Sequence, residues 1–134
     1  MIADTNFFID LMRTRSSSHD RALAKLAEIE ERGGHVAMTA ITRFELASGV
    51  EQSNTSAAER SRVASLLAAY ATFPLEGPAA DRAGAIHGKL QRAGKGIGVA
   101  DALIAAITLL SGESLLTRNV REFSRVEGLS LSEY

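Results

Sequence analysis

Residues 1–10 read MIADTNFFID. Its first three residues form a short apolar run that predicts a buried β-strand, and Asp4 ends that run. Thr5 and Asn6 follow. Because both residue types cap helices well, we predict a helix that begins near them, with one of the two as its N-cap. The start of the chain therefore predicts a buried strand that leads directly into a helix.

The same alternation continues along the chain. Short apolar segments predict strands, and segments with apolar residues at helical spacing predict helices between them. The further predicted strands span residues 35–38, 71–75, 114–117 and a last segment near 129–131. The further predicted helices span residues 18–32, 41–50, 57–70, 78–93 and 99–110, with a helical turn at 120–123. This order predicts a single α/β domain over residues 1–134, with a mostly parallel sheet and helices on both faces.

Composition excludes several classes of protein. The 134 residues include no cysteine, which excludes disulfides and thiolate metal sites and fits a cytosolic protein. Asp4 and Asp10 interrupt the first ten residues, which therefore do not resemble a secretion signal. The most apolar stretch, residues 97–110, is too short to span a bilayer and contains Asp101. We therefore expect a cytoplasmic protein without a membrane segment.

Charge is informative through its distribution. The net charge is −1, so the chain as a whole does not attract nucleic acid. The segment from Arg82 to Arg125, however, contains seven basic residues and only three acidic ones. A solvated surface is the ordinary explanation, and contact with the phosphates of a nucleic acid is the alternative. The candidates for that contact are Arg82, Lys89, Arg92, Arg118 and Arg121.

Three carboxylates occupy unusual places. Asp4 ends the first strand, Glu45 lies on a partly apolar helix face, and Asp101 is the only charged residue in residues 97–111, where we expect it to be buried. Each has an ordinary explanation: a helix cap, a surface glutamate and an acid in the first turn of a helix. Together they can converge at one edge of the sheet, where crowded carboxylates need a cation. Oxygen ligands indicate Mg²⁺ or Mn²⁺.

A carboxylate-bound Mg²⁺ suits phosphoryl transfer with water as the nucleophile. Other phosphate and metal chemistries lack their signatures. The glycines of residues 94–98 do not form a phosphate-binding loop, because no Gly-Lys-Ser/Thr ending is present and no strand precedes them. His19, His35 and His87 lack the spacing of zinc ligands, and we expect them at the surface or at an edge.

Four segments carry a resemblance to a known family. Residues 2–10 (IADTNFFID), 41–49 (ITRFELASG) and 98–106 (GVADALIAA) each contain one of the three acids. Residues 116–123 (LTRNVREF), followed by 126–129 (VEGL), form the fourth segment. Together, in this order and at this spacing, they resemble the motifs of PIN-domain ribonucleases, and more specifically those of VapC-like toxins. The resemblance covers the chain from end to end.

The resemblance implies a three-layer α/β/α fold with a parallel sheet and an acidic pocket that holds Mg²⁺ or Mn²⁺ and cleaves single-stranded or looped RNA. Asp4 and Asp101 would be the principal metal ligands. Glu45 would complete the metal shell or orient the attacking water. The hydroxyls of Thr5 and Thr117 would support these acids.

Asn119 stands where the family often has a fourth acid. Its carbonyl can still bind the metal or hold a water, so it joins the candidate catalytic residues. Glu122 follows three residues later. Whether Glu122 replaces the fourth acid, and whether a second metal binds, stay open at this point.

The resemblance also implies partners. A VapC-like toxin is paired with a small VapB-like antitoxin, and the family suggests a homodimer. An antitoxin arginine could enter the acidic pocket, while an amphipathic antitoxin segment fills an apolar groove. The candidates to line this groove are Phe7, Phe8, Leu11 and Met12, although core packing explains some of them equally well.

Two other functions compete with this interpretation. A phosphoacceptor or aspartyl-phosphatase domain would need a second acid where Asn6 stands, or an aspartate at Pro74 or Leu75. A PIN-like domain that binds RNA or protein without catalysis would not need its three acids.

Overall fold

The computed structural model describes all 134 residues and contains five strands and seven helices. The strands are β1 (Ile2–Ala3), β2 (Met38–Thr39), β3 (Thr72–Phe73), β4 (Leu115–Leu116) and β5 (Leu131–Ser132). The helices are α1 (Thr5–Met12), α2 (Ser17–Glu31), α3 (Ala40–Gln52), α4 (Ala57–Ala69), α5 (Gly77–Arg92), α6 (Val99–Leu110) and α7 (Val120–Phe123). The predicted α/β class is confirmed. No helix is both long enough and apolar enough to cross a bilayer.

The strands pair in parallel throughout. β1 pairs with β4, β4 with β5, and β2 with β3. A single parallel bridge between Ile2 and Ala37 joins these two groups, so the strand order is β3-β2-β1-β4-β5. Because β1 is the central strand, Asp4 lies in the middle of the carboxyl edge, where parallel sheets bind their ligands.

Successive residues of the central strands point to opposite faces of the sheet and enter two separate cores. Ile2 and Leu115 pack with α5, α6 and α7 in the first core. Ala3 and Leu116 pack with α1, α2, α3 and α4 in the second. All four of these strand residues are fully buried. Helices therefore cover both faces of the sheet, which confirms the three-layer α/β/α arrangement.

The start of α1 corrects one detail of the prediction. The helix begins at Thr5, as expected, but its N-cap is Asp4 and not Thr5 or Asn6. Asp4 has extended backbone, and its Oδ1 accepts a hydrogen bond from the Phe7 amide at 3.0 Å. Thr5 already has helical geometry and cannot serve as the cap. Asp4 therefore caps a helix and also ends the central strand.

Several strand boundaries also differ from the predictions. β2 was expected at residues 35–38, but His35 is exposed and the strand begins at Met38. The hydrogen-bonding partner of the backbone changes there. The Ala37 amide donates to the Met1 carbonyl, whereas the Met38 amide donates to the Ala71 carbonyl. The strand predicted at 71–75 is reduced to β3, and the one near 129–131 lies at Leu131–Ser132. Apolar runs mark where strands lie, but the hydrogen-bonding partner decides where each one ends.

Two aromatic residues of α1 were candidates for an open groove, and that prediction was wrong. Phe7 and Phe8 are fully buried. Phe8 packs edge-to-face against Tyr70 with ring centroids 5.0 Å apart, and Phe7 packs in the same way against Tyr134 at 5.1 Å. These contacts place both rings in the core between the sheet and its covering helices.

We predict that Phe8→Ala lowers the free energy of unfolding by about 3–5 kcal/mol, because it leaves a cavity in a close-packed core. Phe44→Ala is the matched control: its side chain is 68% exposed, so its loss should change stability by less than about 0.5 kcal/mol. Urea unfolding followed by circular dichroism measures both. A small effect of Phe8→Ala would place its ring outside the core.

Candidate active site

The candidate acids lie around the carboxyl edge of the central strands. Asp4 directly follows β1, and Thr117 directly follows β4. Asp101 lies in the first turn of α6, and Glu122 in α7. Glu45, from α3, is hydrogen-bonded to the first residue of α1. The structure thus brings together the three acids that the sequence singled out.

Asp4 is the most constrained of these acids, with 2% of its surface exposed. Its Oδ2 accepts a hydrogen bond from the Thr117 hydroxyl at 2.6 Å, and its Oδ1 accepts one from the Phe7 amide. Burial raises the pKa of Asp4, against the lowering effects of these two hydrogen bonds and of the Arg118 charge. The negative charge of Asp10 adds to the increase. Its carboxylate is therefore held in one orientation beside other charges.

Glu45 is held by Thr5. The Thr5 hydroxyl donates to Glu45 Oε1 at 2.6 Å, which joins the start of α1 to α3. Glu45 is half-buried, and none of its carboxylate oxygens forms a salt bridge. The two threonines predicted to support the acids therefore each donate a hydrogen bond to one of them.

Asp101 differs from its prediction in one respect. It is half-buried and not fully buried, because its side of α6 faces the carboxyl edge whereas the next turns of that helix are buried. Burial nevertheless raises the pKa of Asp101 to about 6, together with the charges of Glu122, Asp4 and Glu45. The four carboxylates therefore share one electrostatic environment.

Glu122 is the acid that the sequence left in doubt. Its negative charge is the strongest of the three that raise the pKa of Asp101. The Asn119 side-chain amide donates to Glu122 Oε2 at 2.9 Å, and the Asn119 backbone amide donates to the Thr117 hydroxyl at 2.9 Å. Asn119 thus links Thr117 to Glu122, and the fourth carboxylate comes from α7 instead of from the strand end.

The donor set fits a hard divalent cation. Asp4, Glu45, Asp101 and Glu122 offer only carboxylate oxygens, and none of them forms a salt bridge with lysine or arginine. No three acidic or histidine side chains converge closely enough to chelate an ion in this conformation.

The histidines do not contribute to this site. His35 is exposed, and His19 and His87 are half-buried. His19 Nδ1 lies 3.1 Å from the backbone carbonyl oxygen of Asp10, so its contact is with the main chain of α1.

The predicted basic patch is divided between two places. Arg82 and Lys89 line a surface cavity of about 180 Å³ together with Arg125, and Lys89 pairs with Glu127 at 3.7 Å. Arg118 instead contacts Asp10 and Ser18. The remaining two members, Arg92 and Arg121, are exposed.

One group beside the acids, formed by Asp10 with Arg118 and Tyr134, was not predicted from the sequence. Asp10 is 1% exposed, pairs with Arg118 at 3.3 Å and accepts a hydrogen bond from the Tyr134 hydroxyl at 3.0 Å. The pKa of Tyr134 is raised, mainly by burial and then by Asp4 and Asp10. The signal was available, because Asp10 is the only charged residue in the apolar helix α1, just as Asp101 is in α6.

Known proteins resemble this chain over most of its length. A relative, the tRNA(fMet)-specific endonuclease VapC of Shigella flexneri, is 28% identical in an alignment of 114 residues, and the match covers 82% of this chain and 86% of that protein. The VapBC2 structure from Rickettsia felis, bound to a DNA fragment from the promoter, has a TM-score of 0.82 at 24% identity and covers 99% of this chain and 97% of that one. VapBC-1 of nontypeable Haemophilus influenzae has a TM-score of 0.81 at 25% identity, with 98% and 96% coverage.

The family assignment is based on a separate match. The PIN domain family model matches residues 1–129, a range that includes all four carboxylates and both threonines. This chain belongs to the PIN-domain family.

Proposed function

We propose that this chain is a divalent-metal-dependent endoribonuclease that acts as the toxin of a toxin–antitoxin pair. The observation that carries the proposal is the group of four carboxylates at the carboxyl edge, which no lysine or arginine neutralises in a salt bridge. Membership of the PIN-domain family and the likeness to the VapC endonuclease support it.

The acids fall into two groups in this proposal. Asp4 and Asp101 would be the principal ligands of Mg²⁺ or Mn²⁺, and Asp4 is the fixed one because both of its oxygens accept hydrogen bonds from the protein. Glu45 and Glu122 would complete the shell or orient the attacking water. When bound, the ion would lower the pKa of that water and stabilise charge on the leaving oxygen. Asn119 holds Glu122 in place through its side-chain amide.

RNA is the proposed substrate. The Shigella flexneri relative is named for cleavage of a transfer RNA, so transfer RNA is the first substrate to test. Arg118 directly follows Thr117, which donates to Asp4, and its charge acts on Asp4, so it is the first candidate for a phosphate contact. Arg82, Lys89 and Arg92 lie on α5 and are proposed to contact a more distant part of the RNA backbone.

The proposed protein partner is an antitoxin of the VapB type, as in the toxin–antitoxin complexes that share this fold. A cleft of about 290 Å³ between α1, α3 and α4 replaces the groove predicted from Phe7 and Phe8. Met12 does line it, Leu11 does not, and Glu45 is part of its wall. Its apolar lining consists of Ile9, Met12, Leu46, Val50 and Val63. An amphipathic antitoxin segment in this cleft could place an arginine beside Glu45.

Two further expectations stay predictions. The resemblance suggests a homodimer, and the absence of cysteine suggests a cytosolic location. A sedimentation experiment and a cell fractionation would test them separately.

We predict that Asp4→Asn and Asp101→Asn each lower RNA cleavage by on the order of 10²-fold or more, because each removes a charged group that stabilises the transition state. Cleavage of transfer RNA is measured with Mg²⁺, with Mn²⁺ and with EDTA. Asp81→Asn is the matched control, because Asp81 is exposed on α5 and is not among the charges that act on Asp4 or Asp101. Full activity in both site variants, or activity unaffected by EDTA, would contradict the assignment.

The raised pKa of Asp101 predicts a pH-dependent stability. In the folded protein Asp101 has a pKa of about 6, against an ordinary value of 3.8, so the folded state binds this proton more tightly than the unfolded chain. The proton's stabilising contribution is fully present below about pH 4 and is lost as the pH rises through about 6.

Without metal, Asp101→Asn should therefore be more stable than the wild type at pH 7, by on the order of 1 kcal/mol after allowance for solvent screening. The difference should vanish near pH 4, where the wild-type carboxyl is protonated. Thermal unfolding in EDTA across this pH range measures both proteins. A variant that is equally or less stable at neutral pH would show that Asp101 is not crowded by like charges.

The toxin proposal predicts growth arrest when the gene is induced alone and relief when the neighbouring small gene is coexpressed. The two products should copurify. Met12→Glu places a charge in the apolar cleft and should weaken the complex by about tenfold or more, while Leu23→Glu, on α2 and already 46% exposed, should not. Wild-type induction as harmless as Asp4→Asn induction would overturn the toxin role, and cleavage activity without toxicity would indicate an RNA-processing enzyme instead.

A further inference from the structure

Asp10 is a buried charge that the proposed chemistry does not use. Only 1% of its surface is exposed, on an otherwise apolar helix. Its Oδ2 accepts a hydrogen bond from the Tyr134 hydroxyl and pairs with Arg118 Nε, whereas its Oδ1 has no hydrogen-bond partner. A buried carboxylate that is only partly satisfied is costly, so its retention calls for a role.

The contact of Asp10 with Arg118 indicates this role. Arg118 Nε lies 3.3 Å from Asp10 Oδ2, and Arg118 Nη1 donates to the Ser18 hydroxyl at 3.2 Å. Its backbone is fixed as well, because the preceding residue, Thr117, donates to Asp4. The guanidinium is therefore anchored from α1, α2 and the end of β4. Its Nε is paired with Asp10, one Nη1 N–H donates to Ser18, and its side chain is 35% exposed, so donors remain for a ligand.

The location of this guanidinium points to the ligand. Arg118 is the cation that acts on Asp4, at the margin of four carboxylates that would repel RNA. A phosphate that approaches these acids needs an opposite charge close to them, and a guanidinium fixed in advance loses little freedom on binding.

We propose that Arg118 binds a phosphate of the RNA beside the acidic pocket and that Asp10 is a positioning residue that fixes Arg118 for this contact. The proposal rests on the proposed function, since it concerns the same substrate and the same edge of the sheet. Tyr134 supports the arrangement through its hydrogen bond to Asp10.

A general effect of charge and a positioning role predict opposite changes in RNA affinity for Asp10→Asn. The substitution removes a negative charge near the RNA, so electrostatics alone would strengthen binding. The proposal requires weaker binding, because the neutral amide no longer holds the guanidinium in place. The sign of the change therefore separates a positioning role from a general effect of charge.

The test measures the Kd of a short fluorescein-labelled single-stranded RNA by anisotropy, with Ca²⁺ as the divalent ion, across a series of NaCl concentrations. Gel electrophoresis at the end of each titration confirms that the RNA is intact. The variants are Asp10→Asn, Arg118→Met, Arg118→Lys and the double variant Asp10→Asn/Arg118→Met. Arg32→Gln is the control for net charge, because Arg32 is 77% exposed beyond the far end of α2.

Arg118→Met should weaken binding about tenfold and lower the log–log salt slope by about 0.7, the contribution of one phosphate contact to a single strand. Arg118→Lys should recover part of this loss, and Arg32→Gln should keep the wild-type slope. Asp10→Asn should weaken binding by itself but have no further effect in the Arg118→Met background, since Asp10 acts through Arg118.

Three results would overturn the proposal: unchanged binding by Arg118→Met, tighter binding by Asp10→Asn, or additive effects in the double variant. If Asp10→Asn does not fold, Ser18→Ala removes the other side-chain anchor of Arg118 without a change in charge and should weaken binding two- to threefold. A wild type that binds RNA through Arg118 but cleaves none would contradict the nuclease and not the phosphate contact. An active wild type with binding unaffected by Arg118→Met would contradict only the phosphate contact.

Discussion

The carboxylate of Asp4 is the interaction on which the rest of the site depends. Asp4 ends the central strand, caps α1 through the Phe7 amide and accepts the Thr117 hydroxyl from the end of β4. These hydrogen bonds join two strands and a helix at one point of the sheet's carboxyl edge. A carboxylate fixed in this way provides a rigid centre beside the more exposed acids.

The acids around Asp4 lower the stability of the fold, but the proposed metal binding needs them. Burial and mutual repulsion raise the pKa of Asp101, which means that the folded protein holds its charges at an energetic cost. A fold selected for stability alone would pair these carboxylates with lysine or arginine. Their unpaired state is the expected signature of a site that is completed by a cation from solution.

Helix α1 connects the acidic pocket to its surroundings through its N-terminal end and two of its sides. Its N-terminus is capped by Asp4, and its first residue, Thr5, holds Glu45. Its buried side carries Asp10, which pairs with Arg118, the cation whose charge acts on Asp4. Its third side contributes Ile9 and Met12 to the cleft that we assign to the antitoxin. A partner bound in that cleft would therefore contact the same helix that organises the site.

The elements and most of the site were predictable from the order of the residues. Alternating apolar runs predicted the strands and helices, and Asp4, Glu45 and Asp101 stood out because charge interrupted apolar segments. These features are local, since the periodicity of a helix or strand depends on residues only a few positions apart. The tertiary structure alone decided the burial of Phe7 and Phe8, the half-exposure of Asp101 and the place of Glu122 beside it. It also decided the bonds of Asp4 with Thr117 and of Asp10 with Tyr134, which join residues 113 and 124 positions apart. Such contacts depend on the packing of the whole chain, because burial, hydrogen bonding and electrostatic interaction are set by distance in space and not by distance in sequence.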